Sequence, residues 1–182
     1  MQPEWNLHYA RWVIEDGQPD RRVGDVFDWS DVAFYSEETL TTAHERAKSA
    51  VPVGDFAYRV VAEVTYLSEQ ACVIDFGLKA TSYADLLPPG CLQGNYVAGE
   101  IYLDLGLNTH VGPTEEVLNT LAHRWRVNKI SADLTPYDIP HPIYSGGLVR
   151  NTSRVRYQDV PDTDAINARN YVLHCSEVLA SE

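Results

Sequence analysis

The segment Asp133 to Ser145 (DLTPYDIPHPIYS) holds the densest set of reactive side chains in the sequence: Asp133, Tyr137, Asp138, His141, Tyr144 and Ser145. A carboxylate near a histidine can tune a general base or complete a metal site. Asp133, Asp138 and His141 are therefore the candidate catalytic residues. Pro136, Pro140 and Pro142 give the same segment a second reading, a stiff surface loop without chemistry. Either reading puts it on the outside of the fold, where functional groups concentrate.

Other chemistries lack their residue patterns. His110, His123 and His174 are scattered, with no zinc-ligand spacing and no Cys-x-x-Cys, so neither metal nor cofactor is expected. His174 and Cys175 are adjacent in a strand-like run and point to opposite faces. The sequence has no Gly-x-Ser-x-Gly elbow and no Walker loop. Gly94 to Gly99 runs into a strand rather than a helix, which excludes a phosphate loop there.

The elements that must carry these groups are mostly strands. From Tyr58 to Leu105 three runs rich in β-branched and aromatic residues are separated by turn residues. The first, 58–67, sets Tyr58, Val60, Ala62, Val64 and Tyr66 on one face by alternation. The second spans 71–82, with Gly77 marking a bulge or sharp curvature. The third, 95–105, turns Val97, Gly99, Ile101, Leu103 and Leu105 inward and Tyr96, Ala98, Glu100, Tyr102 and Asp104 outward. A short helix over 113–122, capped by Thr114, precedes a strand over 124–134. A long excursion over 135–152 leads to strands at 155–160 and 170–178. Before Tyr58, runs at 5–14 and 26–35 read as an N-terminal β-hairpin. Glu37 to Ala50 reads as a short surface helix, acidic at its start and basic later.

Chain length and composition fit one soluble globular domain over 1–182, with residues 1–55 as an extension and 56–182 as the core. The N-terminus lacks a basic and apolar leader, and no run approaches the ~20 apolar residues of a membrane span. The expected compartment is the cytoplasm. Three widely spaced cysteines agree with it, being odd in number and suited to reduced thiols. Fourteen basic against 26 acidic side chains leave a formal charge of −12, which repels a polyanion and disfavours nucleic acid.

From Tyr58 onward the order strand, strand, strand, helix, strand, long loop, strand resembles that of an OB-fold, a five-stranded Greek-key barrel. The fold class is accordingly mainly β: an OB-like, partly open five-stranded barrel with an N-terminal hairpin and two short helices. The resemblance implies a ligand surface on strands two and three. Its outward positions include Asp75, Tyr96, Glu100, Tyr102 and Asp104, which are the candidate binding residues. Single-stranded nucleic acid needs stacking aromatics on a basic groove, and the carboxylates here make the neighbourhood negative. Eleven tyrosines and four tryptophans can instead supply recognition area for a protein. The expected function is a non-enzymatic acidic protein that binds a basic protein partner, as an immunity or inhibitor protein would. The alternatives are a small-molecule binder or enzyme built on Asp133, Asp138 and His141, and a nucleic-acid-binding barrel.

Overall fold

The computed structural model describes residues 3–29, 32–105, 117 and 120–178. In chain order the strands are β1 (Glu4–Ala10), β2 (Val26–Trp29), β3 (Ala33–Tyr35), β4 (Thr41–Thr42), β5 (Ser49–Pro52), β6 (Ala57–Leu67) and β7 (Ala71–Asp75). They continue with β8 (Lys79–Tyr83), β9 (Tyr96–Asp104), β10 (His123–Asp133), β11 (Tyr137–Pro140), β12 (Leu148–Arg150), β13 (Tyr157–Val160) and β14 (Asn170–Glu177). The helical elements bounded within the described residues are α1 (Arg11–Glu15) and two short 3-10 turns, and Val117 is also helical.

A closed five-stranded barrel forms the centre. Strands β6, β7 and β8 are an antiparallel meander, β9 returns beside β6, and β3 closes the ring between β8 and β9. β3 runs parallel to β8 and antiparallel to β9. The alternation read from the sequence fills the interior: Tyr58, Val60, Ala62 and Val64 of β6 and Val97, Ile101 and Leu103 of β9 are all buried. Gly99 keeps the place open where the Leu40 side chain plugs the wall. A Cβ at residue 99 would lie 2.5 Å from Leu40 Cδ2.

Strands expected to belong to the barrel form an annex instead. β10 and β14 pair along most of their length, and β1 lies antiparallel along the other edge of β14, Glu4 opposite Ser176 through to Ala10 opposite Asn170. β13 and β2 share the outer edge of β10. The annex joins the barrel where His8 of β1 bridges Asp104 of β9.

Three sequence expectations are corrected by this arrangement. The N-terminal hairpin does not form: β1 pairs with β14, β2 with β10, and β3 with the barrel, so long-range partners outcompete the local one. The run 71–82 is not one strand but the hairpin β7–β8, turned at Gly77, whose φ of 105° suits a residue without Cβ. The surface helix over 37–50 is replaced by bends and the strands β4 and β5. Its apolar stripe was thin, and only Leu40 in it is buried. Backbone groups there pair across to the barrel, Leu40 N–H to Leu86 O at 2.8 Å and Ala43 N–H to Tyr96 O at 2.8 Å. The helix expected over 113–122 lies largely outside the described residues.

Lys48, at the start of β5, clasps Asp75 at 2.8 Å and Glu63 at 3.0 Å. Burial alone would raise the Asp75 pKa, but hydrogen bonds from Lys48 and the Gly77 amide, with the charges of Lys48 and Lys79, hold it below the ordinary carboxylate value. A carboxyl depressed on folding contributes stability above its unfolded pKa and loses it as pH falls through the folded one. Because a third of the Lys48 side chain is exposed, the contribution is under about 1 kcal/mol. Urea titrations at roughly pH 5 and pH 3 test this sign: Lys48→Met should shrink the acid-induced loss of stability, and an unchanged pH dependence would refute the assignment.

Candidate functional site

The outer face of the annex is polar because its strands alternate. In β1, Trp5, Leu7 and Tyr9 are buried while Asn6 and His8 face out. In β14, Tyr171, Leu173 and Cys175 are buried, and Asn170, Val172 and His174 occupy the other face. Cross-strand pairing aligns these residues in rows: Ala10, Asn170 and Asp133; His8, Val172 and Ser131; Asn6, His174 and Lys129. Where this face meets the barrel there is a cleft of about 450 Å³, with His8, Asn170, Asp133 and Val172 as its annex side. Tyr35, Phe56 and Tyr102 form its barrel side, Tyr137, Arg150 and Tyr157 a third wall, and Glu37 stands at the rim.

Aromatic contacts order the barrel wall. Tyr35 and Tyr102 stack at 4.8 Å between centroids, Phe56 meets Tyr102 edge-on at 5.9 Å, and the His8 ring stacks on Phe56 at 4.8 Å. Burial, reinforced by nearby carboxylates, raises the phenol pKa of Tyr35, Tyr102 and Tyr157. These phenols therefore stay neutral near pH 7, and negative charge in the cleft comes from carboxylates.

The polar groups are held in two networks. His8 Nδ1 bonds Asp104, and its Nε2 lies 3.1 Å from Asn170 Oδ1, while Asn170 donates to the Tyr137 hydroxyl at 3.0 Å. Arg150 donates from Nε to Asp133 at 2.8 Å and from Nη2 to the Tyr157 hydroxyl at 2.9 Å, and Tyr157 donates to Asp55 at 2.7 Å. Asp133 thus balances Arg150, which also lies 3.8 Å from Asp55, and within the cleft lining Glu37 adds negative charge beyond that pair.

Comparison with known proteins finds no matching family model, curated protein or solved structure. The chemistry available to the chain is therefore read from its own geometry.

The structure divides the residues singled out in the sequence. Asp133 and Tyr102 line the cleft, and Asp104 is buried beside it against His8 rather than facing outward. Glu100 borders an adjoining cavity of about 300 Å³ that shares Glu37 and Tyr102 with the cleft. Asp75 and Tyr96 flank Glu63 at the other end of the barrel, so the five candidate binding residues do not make one face. Tyr96 and Asp104, eight residues apart on β9, are roughly 27 Å apart along the strand.

The candidate catalytic residues separate as well. Asp138 accepts from Asn151 at 2.8 Å and Arg154 at 2.9 Å. His141 Nδ1 accepts the amides of Ile143 and Tyr144, both at 3.1 Å, and so closes the turn of the β11–β12 hairpin. Neither lines the cleft that holds Asp133. Among the described residues no group of three or more His, Cys, Asp or Glu side chains is placed to hold a metal ion.

A second cavity of about 310 Å³ lies on the same annex face, lined by Asn6, Lys129, Ser131 and His174 among others. Ser131 Oγ is 3.1 Å from both His174 Nε2 and Asp159 Oδ1. Lys129, 3.0 Å away, is the main cause of the lowered Asp159 pKa, so that carboxylate is ionised near neutral pH and can only accept. Ser131 has one hydroxyl hydrogen and gives it to Asp159, while the Nε2–H of His174 donates to Ser131. His174 stays neutral mainly because burial lowers its pKa. This is a satisfied polar cluster, not an activated nucleophile.

Proposed function

We propose that the protein is a non-catalytic binding module whose tyrosine-walled, acidic cleft receives a cationic side chain of a basic partner protein. The observation that supports this most directly is the joint placement of the stacked Tyr35–Tyr102 pair, Phe56 and the rim carboxylate of Glu37 around one cleft. Aromatic faces attract a cation through the ring quadrupole, and a carboxylate adds attraction that salt screens. The barrel is best read as OB type. Its support is the Greek key of β6 to β9, with the fourth strand beside the first, closed by a fifth strand from the N-terminal side. The free state of Cys72, Cys91 and Cys175 favours a reducing compartment such as the cytoplasm.

N-acetyl-arginine methylamide is the probe, measured by calorimetric titration at low and at physiological salt. Binding should weaken as salt rises. Tyr102→Ala should lose about 1 kcal/mol, roughly a fivefold weakening, and Glu37→Gln should flatten the salt dependence. Equal affinity for the neutral citrulline analogue, or no binding at all, would overturn the reading.

A further inference from the structure

The cleft and the second cavity share two walls, Tyr157 and Val172. Tyr157 borders both, and its hydroxyl donates at 2.7 Å to Asp55, a wall of the second cavity 102 positions away in the chain. On β1 and β10 a cleft residue is followed by a second-cavity residue two positions away: His8 and Asn6 on β1, and Asp133 and Ser131, with Lys129 beyond it, on β10. On β14 the pattern continues from Asn170 in the cleft through the shared Val172 to His174 in the second cavity. Positions two apart on a strand share a face and are separated by roughly 6.8 Å. That is also the spacing between alternate side chains of any extended polypeptide.

We infer that the cleft and the second cavity are two chambers of one groove, which binds an extended segment of a basic protein through side chains at positions i and i+2. The inference rests on the cleft being the cation site and identifies the ligand as a polypeptide strand rather than a free small cation. The cationic side chain enters between Tyr102 and Glu37, and the backbone crosses over the Tyr157–Asp55 hydrogen bond. The side chain two positions on reaches the second chamber. There Lys129 already answers Asp159 at 3.0 Å, and Asp55 accepts from the Tyr157 hydroxyl at 2.7 Å with Arg150 3.8 Å away, so the chamber suits an uncharged hydrogen-bonding group, such as a glutamine amide, rather than a second cation. Asn6 is its available polar wall, and Ser131, which gives its hydrogen to Asp159 and accepts from His174, offers one remaining acceptor lone pair.

The test uses capped peptides with arginine and glutamine separated by none, one or two glycines, in both chain directions, titrated into the protein beside N-acetyl-arginine methylamide. The one-glycine spacing, in one direction, should bind at least tenfold tighter than the other spacings and than the single arginine. Ser131→Ala, checked for folding by thermal melting, should reduce that advantage severalfold and leave the affinity for the single arginine unchanged. If the single arginine binds and spacing makes no difference, the two-chamber groove is wrong and the cation cleft stands. If neither arginine nor any peptide binds, both readings fall.

Discussion

Trp125→Ala should destabilise the protein by roughly 3 to 5 kcal/mol, the largest loss expected from a single core truncation here. Trp125 sits on the inner face of β10, opposite Phe27 of β2, and is completely buried. It also packs against the His123 ring at 5.2 Å. Its indole N–H is buried without an acceptor among the described residues, which costs energy that a purely apolar ring would not. Trp125→Phe removes this orphan donor together with part of the ring. The cavity and the relieved N–H then oppose each other, and the net cost should stay below about 2 kcal/mol. Urea unfolding followed by circular dichroism separates the two variants. Similar losses for both would mean that the N–H carries no penalty.

Tyr171→Phe should cost about 2 to 3 kcal/mol while removing one oxygen atom. The Tyr171 hydroxyl accepts from Arg11 and from the Ala168 amide at 3.2 Å, and the carbonyls of Thr163 and Ile166 lie 2.7 and 2.5 Å from it. Arg11 itself reaches Thr163 O at 2.7 Å and Ile166 O at 3.2 Å. One phenol and one guanidinium thus hold the loop that returns the chain into β14. Without the oxygen, Arg11 loses one of its acceptors and the buried carbonyls of Thr163 and Ile166 lose the phenol as a donor, while the Ala168 amide keeps the Ile166 carbonyl at 2.8 Å. A melting temperature lower by roughly 4 to 12 °C is expected, and a shift below about 2 °C would show that water replaces the lost partner. Because β14 floors the cleft, the same variant should also weaken arginine binding.

What was legible in the sequence was what depends on near neighbours. Alternation along β6 and β9 marks Tyr58, Val60, Ala62 and Val64 and Val97, Ile101 and Leu103, all buried, but fails at Tyr66, past the irregularity after Val64, which is only half-buried. The helical reading of EETLTTAHERAKSA followed local propensity, and pairing of that segment with the barrel overrode it. β3 is three residues long and pairs with strands far along the chain, so no local signal marked it as the strand that closes the ring.

The site divides in the same way. Tyr102 is legible as an aromatic residue on an outward strand face, and Asp133 as the carboxylate that opens a polar, proline-rich segment. His8 was not singled out, although Trp5-Asn6-Leu7-His8-Tyr9 alternates as plainly as β6 does. Its partners Asp104 and Asn170 stand 96 and 162 positions away, and only the pairing of β1 with β9 and β14 brings the three together. Asp138 and His141 were near in sequence and chemically suggestive, yet each is spent on the geometry of its own hairpin.

The join between barrel and annex has a mechanical meaning. Between β1 and β9 the ladder has one rung, His8 with Asp104, extended by the Leu105 N–H to His8 O bond of 3.0 Å. The cleft opens over that rung, but beneath it annex and barrel share one hydrophobic core, with Trp5 packed on Tyr58 and Phe76 and the Asn6 N–H donating to the Tyr58 hydroxyl at 2.7 Å. An occupant therefore meets walls that a common core already holds in place, and the ordering cost of binding is correspondingly small.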